Sequence, residues 1–262
     1  SLKLGFIRDI NEGLSFYYQY AEGFRSPDFY SSNLSFTNFA FRYTIIPNPD
    51  LGPEESEGSE FGFKGQASNG SWSVAFYDND YKDFIETEMT GFTMTGLMKF
   101  VYKNLDDVNI KGSEIKANFN LSDNLTAQFG FNNSKGRQDG KRLTTVDPDQ
   151  AILGLLWNSD DSKLSINTYA RITDGSPQSL PPVCGRTPPC ADALTLPDHT
   201  LIDSFISYSI NEKFSMRLAI RNITDKKYWN WSDVAGSAAN DSALDYFLNP
   251  GRNYSLSFRF VF

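Results

Sequence analysis

The sequence predicts an all-β protein, an antiparallel transmembrane β-barrel of which about eleven strands are present. Three observations carry that expectation. First, the last ten residues, Asn253-Tyr-Ser-Leu-Ser-Phe-Arg-Phe-Val-Phe262, alternate without a break. Tyr254, Leu256, Phe258, Phe260 and Phe262 fall on one face, and Asn253, Ser255, Ser257, Arg259 and Val261 on the other. A period of two is an extended strand with one apolar and one mostly polar face. A soluble sandwich buries such a face; a membrane barrel turns it to lipid and ends it in an aromatic girdle. Second, the alternation recurs along the whole chain. Third, short and long connections alternate strictly, which is the pattern of a barrel with one rim of turns and one rim of loops.

The elements follow in order. The chain opens on a strand at Leu2-Lys-Leu-Gly-Phe-Ile. Leu14, Phe16, Tyr18 and Tyr20 share a face, as do Trp72, Val74 and Phe76, with a weaker strand near 57–66 between them. Ile115, Ala117, Phe119 and Leu121 come next, then Leu125, Ala127, Phe129 and Phe131, then a weaker strand near 150–158. Leu164, Ile166, Thr168 and Ala170 follow, then Ile202, Ser204, Ile206, Tyr208 and Ile210. Phe214, Met216, Leu218 and Ile220 oppose Ser215, Arg217, Ala219 and Arg221. Short polar turns fall at Asp9–Gly13, Ala67–Ser71, Ser122–Asn124, Ser159–Ser162 and Asn211–Lys213. Long connections, expected to be extracellular, fall near 25–55, 86–101, 134–149, 174–198 and 228–251. No amphipathic helix, fixed-period repeat or low-complexity segment stands out. The first and last strands both run toward the short-turn rim. An odd number of strands does not close by the even-stranded rule, so an N-terminal portion is expected beyond Ser1. The missing signal peptide agrees with an incomplete or excised chain.

Composition bounds the function. Aromatics make up 15% of the 262 residues, with 22 Phe and 13 Tyr, which favours strands. The mean hydropathy is −0.41 and no apolar run reaches the length of a membrane-spanning helix. A net charge of −8 argues against nucleic acid as a partner. A single histidine, His199, rules out a clustered histidine metal site. Cys184 and Cys190 flank Gly-Arg-Thr-Pro-Pro; they are either a small disulfide loop in an oxidising compartment or two free thiols. No enzyme constellation emerges. There is no Gly-x-Ser-x-Gly and no phosphate loop, and Asp78–Asp80 with Asp83 lack the spacing of an EF-hand.

Four segments sit at strand ends. They are Tyr20-Ala-Glu-Gly-Phe-Arg-Ser-Pro27, Asn48-Pro-Asp-Leu-Gly-Pro-Glu-Glu-Ser56, Asn222-Ile-Thr-Asp-Lys-Lys-Tyr-Trp-Asn-Trp231 and Asn249-Pro-Gly-Arg-Asn-Tyr254. In order and placement they resemble TonB-dependent outer-membrane receptors, most of all the heme and hemoglobin receptor group. Phe24, Arg25, Ser26 and Pro27 match the first box, with Ser26 where the family usually has Ala. Asn48, Pro49, Asp50 and Leu51 match the second, and Pro250, Gly251 and Arg252 the lead-in to the last strand. The terminal Phe262 resembles the assembly signal of outer-membrane proteins. The resemblance implies that residues 1–262 are the C-terminal part of a 22-strand barrel. The N-terminal plug and its TonB box are not among these residues. It further implies the bacterial outer membrane as location, with lipid, the barrel assembly machinery and, through the plug, the TonB complex as partners. An extracellular heme protein or iron chelate completes the set. No cofactor is bound permanently; heme or another iron chelate is the transported ligand. The alternatives are a ferric-siderophore receptor and, in a different class, a passive porin-like or structural barrel.

In the family a heme-ligating histidine often lies between the first two boxes. Here the segment reads Phe39-Ala-Phe-Arg-Tyr-Thr. Tyr43 is the preferred candidate iron ligand and Tyr30 the reserve. Phe36, Phe39 and Phe41 are candidates to cradle a porphyrin and Arg42 to meet a propionate. The alternative is an aromatic-rich loop packing over the barrel mouth. Arg25 is expected to pair with Glu54 or Glu55. Tyr228, Trp229 and Trp231 are candidate ligand contacts, with one Trp of the pair expected in the interfacial girdle. Asp225 with Lys226 and Lys227 reads as a solvated rim, and His199 as an exposed, satisfied side chain.

Overall fold

The computed structural model describes residues 1–138, 140–143, 146–175 and 190–261. The chain begins with β1 (Lys3–Asn11) and β2 (Leu14–Arg25), followed by the short helix α1 (Phe29–Asn33) and the strands β3 (Phe36–Asn38) and β4 (Tyr43–Ile46). Next come β5 (Glu54–Ala67), β6 (Gly70–Lys82), β7 (Phe84–Phe92), β8 (Met98–Leu105), β9 (Val108–Ser122) and β10 (Leu125–Gln138). A two-residue β11 (Lys141–Arg142) precedes β12 (Gln150–Asn158), β13 (Leu164–Thr173), β14 (His199–Asn211) and β15 (Phe214–Arg221). The helix α2 (Trp231–Val234) and a 3₁₀ turn (Ser242–Phe247) lead to β16 (Asn253–Phe260).

One antiparallel meander dominates, in the order β1-β2-β5-β6-β9-β10-β12-β13-β14-β15-β16, with β11 appended to β10. These eleven strands are the ones the alternation marks. Register keeps every apolar set on the same face. Phe6 opposes Tyr18, Tyr18 opposes Phe61, and Phe61 opposes Phe76. Val74 meets Ile115, Ile115 meets Phe131, and the row runs on to Leu256 and Phe258 on β16. That face stays uncovered on interior strands: Phe61 is 44% and Leu155 53% exposed. Moving one such side chain from water to an apolar phase is worth about 1.5–3 kcal/mol, so the face demands a hydrocarbon surrounding. The described residues contain no helix long and apolar enough to cross a membrane; the strands carry the apolar surface.

The opposite face is polar. Tyr17 lies across Gly62 there and donates to Glu60 at 2.9 Å; a Cβ on Gly62 would come 2.7 Å from the Tyr17 ring. Glycine is needed at that position because the strand backbone and the tyrosine ring share one space.

The short turns stand in a row at one end. Each hydrogen-bonds to the neighbouring hairpin: Gln66 N–H to Gly13 O, Asn120 N–H to Asn69 O, and Asn158 N–H to Asn124 O. Ser209 N–H to Lys163 O and Val261 N–H to Lys213 O continue the series. Two of the long connections build a second, smaller sheet. The segment expected near 86–101 as a plain connection is the β7–β8 hairpin, closed by Thr93 N–H to Leu97 O at 2.8 Å. Its Glu-Thr-Glu-Met-Thr run lacks a clean period of two, which hid it in the sequence. β8 pairs in parallel with β4, from Tyr43 opposite Met98 to Ile46 opposite Val101. Two connections thereby fuse into one four-stranded sheet, β3-β4-β8-β7. Phe41 then packs on Tyr246 and Phe247, at centroid distances of 6.0 and 5.5 Å, which joins the 222–252 connection to the same end.

Candidate functional site

The first two boxes are the anchors of this cap. Arg25, at the end of β2, donates from Nη2 to Glu54 Oε2 at 2.7 Å. The same oxygen accepts the Ile85 N–H at 2.9 Å, and Arg25 also reaches Ile85 O at 3.3 Å. Glu54, not Glu55, is therefore the partner, and it is 7% exposed. Asp28 caps α1, where the Ser31 backbone N–H and hydroxyl hold its carboxyl below the usual range. Asn48 donates through its side-chain amide to Tyr102 O at 2.9 Å, and its backbone N–H reaches Ser31 O. Leu51 is buried beside it, and Asn104 brackets Gly52 with two hydrogen bonds of 2.8 and 3.0 Å. The boxes thus tie the cap sheet to the top of β2 and β5.

The other two boxes form a second knot. Asn222 is 3% exposed and sits at φ 51°. Its side-chain amide donates to Lys226 O at 2.8 Å and Pro250 O at 3.4 Å, and its Oδ1 accepts the Lys226 N–H at 2.8 Å. Its backbone N–H reaches Asp203 Oδ1 at 2.7 Å. Asp225 accepts the Arg252 N–H at 2.8 Å, while Arg252 returns a hydrogen bond to Ile223 O. Asp225 is exposed, as a solvated rim would be, yet it closes the base of the loop. Gly251 lies against it, 2.7 Å from where a Cβ would stand.

The candidate ligand residues separate into three groups. Tyr43 is half-buried on β4, its ring edge-on to Phe100 at 6.0 Å and tilted against Phe36 at 6.0 Å. Phe39 and Tyr30 stand free, 78% and 72% exposed. Phe41 is turned to Tyr246 and Phe247, so Phe36, Phe39 and Phe41 do not converge on one ring-shaped space. Arg42 occupies a left-handed turn, φ 54°, between β3 and β4. Phe100 is a partner that sequence reasoning missed, because the parallel pairing of β4 with β8 joins residues far apart in the chain.

The tryptophan pair departs from expectation. Trp231 is 4% exposed in a loop core with Leu196 and Val234, and Trp229 packs against it, its Nε1 donating to Leu244 O at 2.8 Å. Neither ring belongs to a lipid-facing girdle: an amphipathic ring suits a loop core as well as an interface. Tyr228 stacks on His199 at 5.3 Å, which leaves that histidine half-buried rather than exposed. These groups and Arg171 line a cavity of about 130 Å³, well under the space a porphyrin needs. Cys184 and Phe262 lie outside the described residues; Cys190 takes part in a disulfide. The described residues hold no cluster suited to a metal ion.

An antiparallel meander with one lipid-compatible face, a row of short turns at one end and a loop sheet at the other defines a transmembrane β-barrel wall. The chain belongs to the TonB dependent receptor-like, beta-barrel family, which it matches over residues 1–223. That family comprises receptors and transporters, not enzymes. Probable hemoglobin and hemoglobin-haptoglobin-binding protein 4 of Haemophilus influenzae is 25% identical across 93% of this chain and 27% of its own length. Hemoglobin-haptoglobin utilization protein B of Neisseria meningitidis serogroup C is 22% identical across 91% of this chain and 34% of its own. Among solved structures the copper transporter OprC superposes with a TM-score of 0.76 at 17% identity, covering 98% of this chain and 39% of that one. At that identity the likeness speaks for the fold alone. The chain spans about a quarter to a third of the length of these curated relatives.

Proposed function

We propose that this chain supplies wall, rim and part of the ligand site of an outer-membrane receptor for TonB-energised uptake of heme, including heme drawn from hemoglobin. The observation that carries the reading is the aromatic segment Phe36–Tyr43 between the first two boxes, in a chain with relatives named for hemoglobin binding. The apolar face sits in the outer membrane, the short turns face the periplasm and the cap faces outward. Contact with TonB runs through a plug, and insertion through the barrel assembly machinery. Phe39 and Tyr30 offer uncovered aromatic faces at the rim for a flat ring. Tyr30 is the more accessible of the two phenols, and Tyr43 the better positioned by its neighbours.

The test is heme titration of the intact receptor, read by its Soret band. Joint Tyr30→Phe and Tyr43→Phe replacement is expected to weaken heme binding about tenfold, the loss of roughly 1.4 kcal/mol. Tyr246→Phe leaves affinity unchanged, since its ring contact with Phe41 needs no hydroxyl. Unchanged affinity in the double variant removes tyrosine ligation from this loop. A wild-type receptor that binds no heme leaves the ferric-siderophore reading as the better account.

A further inference from the structure

Four arginines gather on the polar face of the last four strands. Strand parity places Arg171 of β13, Arg217 and Arg221 of β15 and Arg259 of β16 there. The same face of these strands carries one acid, Asp203, whose carboxylate accepts the Asn222 N–H. Among the described residues none of the four guanidinium groups forms an ion pair. In a chain of net charge −8 this strip is locally positive. By contrast, the polar face of β5 and β9 mixes Glu60 and Glu114 with Lys64 and Lys116, and Lys116 is paired with Glu114 at 2.7 Å.

The strip has direction as well as charge. Arg221 lies at the long-connection end of β15, opposite Asn253. Arg217 opposes Ser257, and Arg259 opposes Ser215 near the short-turn end. At about 3.4 Å per residue, Arg217 stands about 14 Å below Arg221 and Arg259 about 20 Å below it. Phe205 forms a plate between two of them: the Arg217 and Arg221 guanidinium carbons sit 5.0 and 5.7 Å from its ring centroid. Arg221 also donates to Ser255 Oγ at 3.4 Å. Serine hydroxyls at 207, 215, 255 and 257 flank the guanidinium groups across the register. Exposed, ring-braced arginines with hydroxyl neighbours present fork-shaped donors to a carboxylate.

We propose that this arginine ladder is a carboxylate-binding track on the inner wall of the barrel, engaging a dicarboxylate cargo as it moves from the loop rim toward the turn rim. The proposal rests on the heme reading, and the carboxylates are then the two porphyrin propionates. A row of like-signed cations along one wall raises the local concentration of an anion and guides it along the row.

The test compares hemin with hemin dimethyl ester, the same ring without free carboxylates, in uptake by cells bearing the intact receptor. Wild type is expected to favour hemin about tenfold, within the range of electrostatic guidance. Joint replacement of Arg217, Arg221 and Arg259 by glutamine abolishes that preference. Joint replacement by lysine retains most of it, which separates charge from folding. A glutamine variant that keeps the wild-type preference overturns the track. So does one that loses uptake of both probes in proportion, or one whose thermal unfolding drops while the preference stays. That last result marks ion pairs to an acidic polypeptide instead. Wild-type cells that take up no hemin overturn the heme reading and the track together, whereas intact uptake with no carboxylate preference overturns the track alone.

Discussion

Asn222→Leu should release the 222–252 connection from the barrel rim while leaving the strands in place. Asn222 satisfies Lys226 N–H, Lys226 O and Pro250 O from a nearly sealed position. Leucine satisfies none of them, and stranding buried backbone groups costs about 1–3 kcal/mol. The φ of 51° adds to this, because a branched side chain in the left-handed region costs about 1–2 kcal/mol. The combined loss, about 2–5 kcal/mol, falls on the loop and its Trp231 core rather than on the meander. In the intact receptor the measurable result is protease cleavage within 222–252 accelerated more than tenfold. The gel shift between heated and unheated samples, which reports the folded barrel, should persist. Asn222→Gly separates the two causes: it relieves the backbone but forfeits the side-chain bonds, so it should fall between wild type and leucine. Cleavage at the wild-type rate in the leucine variant would show that the knot does not hold the loop.

The second large effect is expected at Glu54. Its Oε2 receives both Arg25 and the Ile85 N–H, and so binds the β7–β8 hairpin to the top of β5. Arg25 keeps a 59% exposed side chain, so the ionic part is screened and worth about 0–1 kcal/mol. The amide of Ile85 is the costlier loss. Glu54→Leu should therefore destabilise the cap by about 2 kcal/mol, mainly through that unpaired donor. Arg25→Ala should cost less than half as much, and Glu54→Gln, which keeps an acceptor, should lie between them. Hydrogen exchange of the β7–β8 amides in the intact receptor reads the difference. A larger effect from Arg25→Ala than from Glu54→Leu would reverse the assignment.

How much of this was legible in the sequence follows from the range of each interaction. Side-chain parity is a property of the pleated backbone, so the alternation of Leu125 to Phe131 or Phe214 to Ile220 reports a strand with no knowledge of its neighbours. Short turns are equally local, and their alternation with long connections located the two rims. The boxes are visible as patterns, and the sequence narrows the partner of Arg25 to two adjacent glutamates. Choosing Glu54 required the position of Ile85, which belongs to a different connection. The β7–β8 hairpin was hidden because β7 lacks a clean apolar alternation, and only the pairing of β8 with β4 and β7 shows the segment as part of a sheet. The girdle position expected for one Trp of the pair fails for a related reason: the ring chemistry suits lipid headgroups and loop cores alike, and only Leu196, brought from another connection, decides for the loop core.

The chain by itself determined an apolar and a polar face for each strand, the sequence of turns and loops, and the family pattern at the strand ends. All of these depend on residues within one or two turns of backbone. The tertiary structure alone decided which connections share a layer, where Phe41 and Tyr43 point their rings, and that Arg259 falls in line with Arg217 and Arg221. Those facts depend on cross-strand register and on parallel pairing between distant segments. A shift of one residue would send every side chain of a strand to the opposite face.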